Sequence, residues 1–289
     1  MTRARRKCRA GASTLHSTTP KRARGARRKS KGTALVLRRF PFRESSLVCH
    51  VLAREQGRVS VLAKGAYRPR SAYSGVLDLF DTLELTWSPG ADLANLRSGR
   101  ILVRRAHICR DLDRYRAGTR VLELATLAAR DGHEERELFD LVSGALDALQ
   151  GGAATPELVS TVFDLRFLAG LGLEPALLHC AHCGSSLATD TRPRTGFSTP
   201  LGGRLCDPCA RGVAGDRGAG LETVPTGLLR IARSLLDTPW PDLERIRLES
   251  ERTRKLRAIV RRFLEYHLGT RPRASGPLPR PKASTKTPR

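Results

Sequence analysis

Two C-x-x-C pairs, Cys180-Ala181-His182-Cys183 and Cys206-Asp207-Pro208-Cys209, stand 22 residues apart inside a stretch that otherwise reads as helix. Four thiolates in paired knuckles give tetrahedral sulfur coordination, and this spacing lies close to the four-cysteine zinc pattern. A closed set of four protein ligands leaves no open position, so one structural Zn²⁺ per chain is the expectation, held in a module at about 178–212. Gly184 and Gly202-Gly203 supply the flexible positions that knuckle turns and a returning hairpin need. A redox reading explains one C-x-x-C pair and leaves the second unexplained. A zinc deaminase needs H-x-E followed by P-C-x-x-C. His133-Glu134-Glu135 meets the first half, but Ala210-Arg211-Gly212 follows Pro208-Cys209 with no second cysteine. Cys8, Cys49 and Cys109 are isolated, which suggests reduced thiols rather than a disulfide framework.

The zinc segment interrupts a half of the chain with helical period. From Asp111, apolar residues recur at Val121, Leu122, Leu124, Ala125, Leu127 and Ala128, and then at Leu138, Phe139, Leu141, Val142, Leu146 and Leu149. Thr155-Pro156-Glu157 opens a further helix with an N-cap hydroxyl and a proline at the first helical position. Two later helices are expected, roughly over 225–236 and 249–268. Residues 33–110 instead show short β-branched runs: 34–39, 47–53 and 58–64, then 76–87 and 93–108, divided by turn-forming clusters such as Glu55-Gln56-Gly57 and Ser88-Pro89-Gly90. Five strands in so short a stretch suit a small barrel. The class is α+β, a barrel followed by an all-α domain over 111–269 that carries the zinc module.

Charge divides the chain in the same place. Of 52 Lys and Arg and 28 Asp and Glu, residues 1–32 hold 12 basic and no acidic side chains, and 270–289 hold 6 and none. Both ends read as disordered basic segments, the second rich in proline. The first also fits an organelle transit peptide, with 21–29 fitting a nuclear signal, and a flexible arm or a misplaced start codon accounts for it equally. Residues 33–110 hold 13 basic against 6 acidic side chains, while 111–269 hold 21 against 22, so the excess of the body lies on the barrel and points to an anionic partner. No apolar window long enough to span a membrane and no secretory signal is evident.

On the barrel, Arg58, Lys64, Arg68 and Arg70 are interleaved with Tyr67 and Tyr73, and Arg38, Arg39, Phe40 and Phe42 add to them. Cations track a phosphate backbone while aromatic faces stack on bases, a combination suited to sequence-tolerant binding of single strands. Arg38, Arg58, Lys64, Arg68 and Arg70 are the expected DNA contacts. The alternative places Phe40 and Phe42 in the core and the arginines on a solvated surface, and Arg97, Arg100, Arg104 and Arg105 on the last strand weigh against it. No phosphate-cradling loop, H-E-x-x-H, G-x-S-x-G or dinucleotide fingerprint is present, so no enzymatic activity is expected. Acidic pairs such as Asp78 with Asp81 leave a metal-dependent nuclease as an alternative, and an RNA-binding zinc protein of translation is another. The basic run from Arg252 to Arg262 is expected to face solvent or an acidic partner.

An ordered set of motifs resembles the RecO family of bacterial DNA repair proteins. It comprises Pro41-Phe42-Arg43-Glu44-Ser45-Ser46, Gly57-Arg58-Val59, Ala63-Lys64-Gly65-Ala66 with Arg68-Pro69-Arg70-Ser71, and Leu77-Asp78-Leu79-Phe80. It continues through Leu165-Arg166-Phe167-Leu168, Leu171-Gly172-Leu173-Glu174-Pro175, the four cysteines and Glu265-Tyr266-His267-Leu268-Gly269, spanning about 33–269. The 32-residue basic arm departs from the family, whose members usually begin near the first strand. The resemblance implies a five-stranded OB-fold, a helical domain with a zinc module, and no turnover. It implies binding of single- and double-stranded DNA and annealing of complementary strands. It further implies that, with RecR, the protein helps RecA displace single-stranded DNA-binding protein (SSB), in a cytoplasmic, nucleoid-associated setting.

Overall fold

The computed structural model describes residues 29–90 and 92–272. Of the segments expected to be disordered, 1–32 and 270–289, residues 1–28 and 273–289 lie outside the described residues, while Ser30 to Gly32 are strand and not disordered. The first strand, β1 (Ser30–Phe42), starts three residues ahead of the boundary drawn at Thr33 and pairs from Ser30 with the fourth strand. It is followed by β2 (Ser46–Ala53), β3 (Gly57–Ala63), β4 (Thr82–Ser88) and β5 (Ala94–Val103). These close a barrel in the order β1-β2-β3-β5-β4, through a short parallel pairing of Val61 and Leu62 with Ala94 and Asn95. Residues 76–81, expected to extend the fourth strand, form turns instead. Phe80 sits there at φ +75°, outside any strand geometry, and its ring is fully buried against the helices.

Strand alternation builds two cores from one barrel. Ala34, Val36, Cys49, Val51, Val61, Leu83 and Leu85 point inward and fill it. Leu35, Leu37 and Leu52 point outward and are equally buried, because they pack with the helical domain. A bulge between Val36 and Arg38 shifts the register of β1, so that beyond it Arg38, Phe40 and Phe42 take the outer face opposite His50, Val48 and Ser46.

The helical domain comprises α1 (Leu112–Ala128), α2 (Arg136–Gly151), α3 (Pro156–Gly170), α5 (Thr226–Asp237) and α6 (Ser250–Leu268), with α4 (Asp207–Val213) in the insert. Asp111 caps α1 by accepting from the Arg114 amide, and Thr155 caps α3 by accepting from the Leu158 amide. Ten of the fifteen positions of α3 are buried, which makes it the central helix. Within it the buried Asp164 carboxylate receives two guanidinium nitrogens of Arg120 on α1, the closer at 2.8 Å. No helix among the described residues is long and apolar enough to cross a membrane.

The barrel and helices are clasped at the β2–β3 turn. Arg54 makes a bidentate pair with Asp140, Arg58 with Asp131, and Arg136 reaches Glu55 through two nitrogens. The Arg58 amide donates to the Arg130 carbonyl, and the Glu135 amide to the Arg54 carbonyl. Gly57, at φ +67°, lies so close that a Cβ there would fall 2.3 Å from the His133 carbonyl oxygen, so this turn requires glycine twice over. On the opposite side of the contact the fully buried Arg105 donates to the Phe80 carbonyl, Thr82, Ser143 and Asp147, linking the start of β4 to α2.

Candidate metal centre and nucleic-acid interface

The insert between α3 and α5 is a three-stranded sheet, ordered β7 (Gly203–Leu205), β6 (Arg194–Ser198), β8 (Leu221–Pro225), with α4 and two cysteine knuckles at one end. Gly203, at φ +143°, lets β7 approach Ala176, where a Cβ would collide with backbone at 2.5 Å. The Ala181 amide donates to Arg204 and the Arg204 amide to Ala176, which fixes the first knuckle beside the strand leading to the second. The buried Arg204 side chain donates to the Leu187 carbonyl, Asp190 and Thr195 and holds the intervening loop down. The module is seated on α6, where Phe197 packs against Phe263 and the His267 ring contacts the Thr199 carbonyl.

The sulfurs of Cys180, Cys183, Cys206 and Cys209 all lie within 4.8 Å of one another, the one such metal-competent group of His, Cys, Asp and Glu among the described residues. The Cys183 and Cys206 sulfurs are 3.7 Å apart. Four sulfurs each about 2.3 Å from one ion sit about 3.8 Å from each other in a tetrahedron, whereas a disulfide brings two to about 2.05 Å. The donor set therefore fits a tetrahedral metal and not a pair of disulfides. Proton sharing within the group is uneven: the Ser185 hydroxyl helps bring Cys183 down to about 6, while the Cys206 thiol beside it pushes Cys209 up to about 12. The Cys206 amide points at the Cys180 sulfur at 3.4 Å, the kind of donor that steadies a ligating thiolate.

The five expected DNA contacts fall into two groups. Arg58 is committed to Asp131 at the clasp, whose carboxyl it holds below the ordinary range. Arg38, Lys64, Arg68 and Arg70 are exposed, and their side chains make no hydrogen bond or ion pair to any described residue. Of the other arginines on the barrel, Arg39 pairs with Asp78, Arg100 with Glu84, Arg104 with Asp81 and Arg105 with Asp147. The carboxylates Asp78 and Asp81, a possible cation site by spacing, thus face guanidinium groups. Asp111 is spent on the cap of α1.

Around the four free cations the aromatic rings are open. Phe40, Phe42 and Tyr67 are 42%, 37% and 55% exposed, so Phe40 and Phe42 are not core residues. The bulge explains this, since without it Phe40 and Phe42 would continue the inward row of Ala34 and Val36. Phe40 meets the His50 ring edge-on, and burial, with Arg58 and Arg38 nearby, lowers the His50 pKa below the ordinary imidazole value and keeps it neutral at pH 7. Arg43, which spacing alone did not single out, lies with its guanidinium 5.3 Å from the Phe42 ring centre. Its φ of +54° in the β1–β2 turn is not a feature that sequence pattern reveals. The Tyr67 amide donates to the Ser45 carbonyl and so joins the β3–β4 loop to that turn.

Two family models account for both halves of this architecture. Recombination protein O N terminal matches residues 23–104, and Recombination protein O C terminal matches 109–276. The chain belongs to the RecO family. A DNA repair protein RecO of Anaeromyxobacter dehalogenans (strain 2CP-1) is 33% identical over 252 residues, covering 84% of this chain and 93% of the relative. Another from Rhodopirellula baltica is 36% identical over 179 residues, covering 61% and 65%, and one from Pelotomaculum thermopropionicum is 29% identical over 238 residues, covering 82% and 89%. Within this RecO chain the N-terminal match coincides with the barrel and the C-terminal match contains the four cysteines.

Proposed function

We propose that this chain is a recombination mediator whose barrel binds single- and double-stranded DNA and brings complementary strands together. The observation that carries the reading is the contrast among barrel cations: Arg38, Lys64, Arg68 and Arg70 stand free beside Phe40, Phe42 and Tyr67, while most of their neighbours are held by carboxylates. Free cations neutralise phosphates and release counterions, and two strands so neutralised can approach and pair. The exposed rings offer stacking platforms that any base can use. Arg58 belongs to the same list by sequence, and here its role is to fix the barrel against α1 and α2. The ion of the four-cysteine centre is Zn²⁺, structural, one per chain. Cooperation with RecR, displacement of SSB in favour of RecA, absence of turnover and a cytoplasmic, nucleoid-associated location complete the reading on family grounds.

A strand-annealing assay with complementary oligonucleotides, naked and SSB-coated, tests it. The protein should accelerate pairing of both. The triple variant Lys64→Ala, Arg68→Ala, Arg70→Ala should lose annealing in parallel with single-strand binding, with zinc content and helical signal intact. A control triple, Arg254→Ala, Lys255→Ala, Arg257→Ala, removes equal charge from the helical half. Equal losses from both triples would mean that net charge binds the DNA, and no defined barrel site. Tighter binding of RNA than of DNA, or cleavage products with Mg²⁺, would replace the reading with one of its rivals.

A further inference from the structure

Between the end of β1 and the β3–β4 loop lies a cavity of about 430 Å³. It is lined by Tyr67 and Tyr73, by Pro41, Leu47 and Leu77, and by the polar residues Ser74 and Asp78. The loop is a chain of consecutive turns, with amide donors Arg68, Ser71, Ser74 and Val76 each reaching back three residues. It is tied at one end by Tyr67 to Ser45 and in the middle by the Tyr73 hydroxyl, which donates to the Leu96 carbonyl at 3.0 Å. The pocket is therefore preformed.

We propose that this cavity receives one unstacked nucleobase of a bound single strand. The inference rests on the reading of the barrel as a DNA interface and names a subsite within it. Flat aromatic and proline surfaces suit the face of a base. The only cation in the wall, Arg39, is engaged by the Leu77 carbonyl and Asp78, so nothing free there attracts a phosphate, and the Asp78 carboxylate repels one. That carboxylate retains acceptor capacity for the N–H groups of a base edge. Cations do stand on the same segment, outside the cavity: Lys64, Arg68 and Arg70 flank Ala66 and Tyr67 in the loop and are free to follow the backbone on either side of an inserted base. Phosphates outside and a base inside is the arrangement of a single strand, whose bases can leave the stack at lower cost than those of a duplex.

The full chain is tested against three ligands of equal length: single-stranded oligo-dC, the same sugar-phosphate backbone without bases, and a duplex. Wild type should bind oligo-dC roughly tenfold more tightly than the abasic strand, within the range for stacking one base on an aromatic ring. Tyr67→Ala, which removes an exposed wall, and Ser74→Trp, which fills the cavity from an exposed position, should each lose most of the preference for oligo-dC over the abasic strand, and Ser74→Trp should keep wild-type affinity for the duplex. Tyr67→Phe keeps the ring and should keep the preference. Retention of the preference by Tyr67→Ala and Ser74→Trp, or its absence in wild type, overturns the pocket and leaves the barrel reading standing. Failure of the wild-type protein to bind either single strand overturns the barrel reading itself. Competition by free deoxycytidine monophosphate at concentrations similar to oligo-dC would make the cavity a mononucleotide site and overturn the proposal.

Discussion

At the scale of single residues, charge and its availability are different properties. Arg58 and Lys64 sit on the same strand and its end, six positions apart, yet one is bound bidentately by Asp131 and the other is free. Arg58→Ala should therefore lower stability by a modest amount, about 1 kcal/mol or less for so exposed a pair, and barely change DNA affinity. Removing Lys64, Arg68 and Arg70 together should cut the slope of log affinity against log salt by up to about 2 on single strands, as each lost phosphate contact costs about 0.7. Salt titrations of both variants would check this. In the metal centre, Cys206→Ser should lower zinc content and folded yield more than DNA affinity per folded molecule, measured by elemental analysis beside binding. Spacing made the four cysteines legible because the ligands of a knuckle are close in sequence. It left the Arg58 partner hidden because Asp131 lies 73 residues away and belongs to another domain.

At the scale of elements, the helices were readable because each carries its own period, cap and stop, as Thr155-Pro156 does for α3. The β3–β4 connection was not, since Val76, Leu77, Leu79 and Phe80 look like strand residues, yet Leu77 is buried in the barrel core, Phe80 in the helical core, and Val76 and Leu79 are half-buried in an irregular segment between them. Nor does any local pattern announce the pairing of α1 with α3 through Arg120 and Asp164. Asp164→Ala strips a buried guanidinium of its carboxylate, and chemical denaturation should show a loss of about 3–5 kcal/mol. The clasp makes a prediction about pH. The Arg58 partner Asp131, the Arg54 partner Asp140 and the Arg136 partner Glu55 all titrate below their ordinary values, chiefly through hydrogen bonds from those guanidinium groups. Carboxyls depressed in the folded state stabilise it fully above their unfolded values, near pH 4, and that contribution drains away as pH falls through the lowered ones. Acid should accordingly weaken the clasp. Hydrogen exchange at the Arg58 amide, which donates to Arg130, would report it.

Taken whole, the molecule is two folds that share a core, beside the one inside the barrel. Leu35, Leu37 and Leu52 of the barrel bury their side chains with the helices, and each such leucine is worth roughly 1.5–3 kcal/mol of burial. A fragment ending after β5 should consequently be poorly soluble and give broad, dispersionless NMR spectra, whereas the full chain should unfold as one cooperative unit. A soluble, folded barrel fragment would contradict this. The basic ends belong to this scale as well: removing residues 1–28 should reduce the salt dependence of DNA binding without abolishing annealing, which a salt titration and an annealing assay would separate.

Shared burial also sets a timetable for synthesis. Arg54 leaves the ribosome 86 residues before Asp140, and Glu55 leaves 81 before Arg136. At roughly 5–20 residues per second, the outer leucines of β1 and β2 wait on the order of ten seconds for the helices that cover them. During that interval the nascent barrel presents an apolar face to chaperones and to other nascent chains. Slow codons between positions 54 and 140 should lengthen the exposure and lower the soluble yield, which expression of recoded genes would measure.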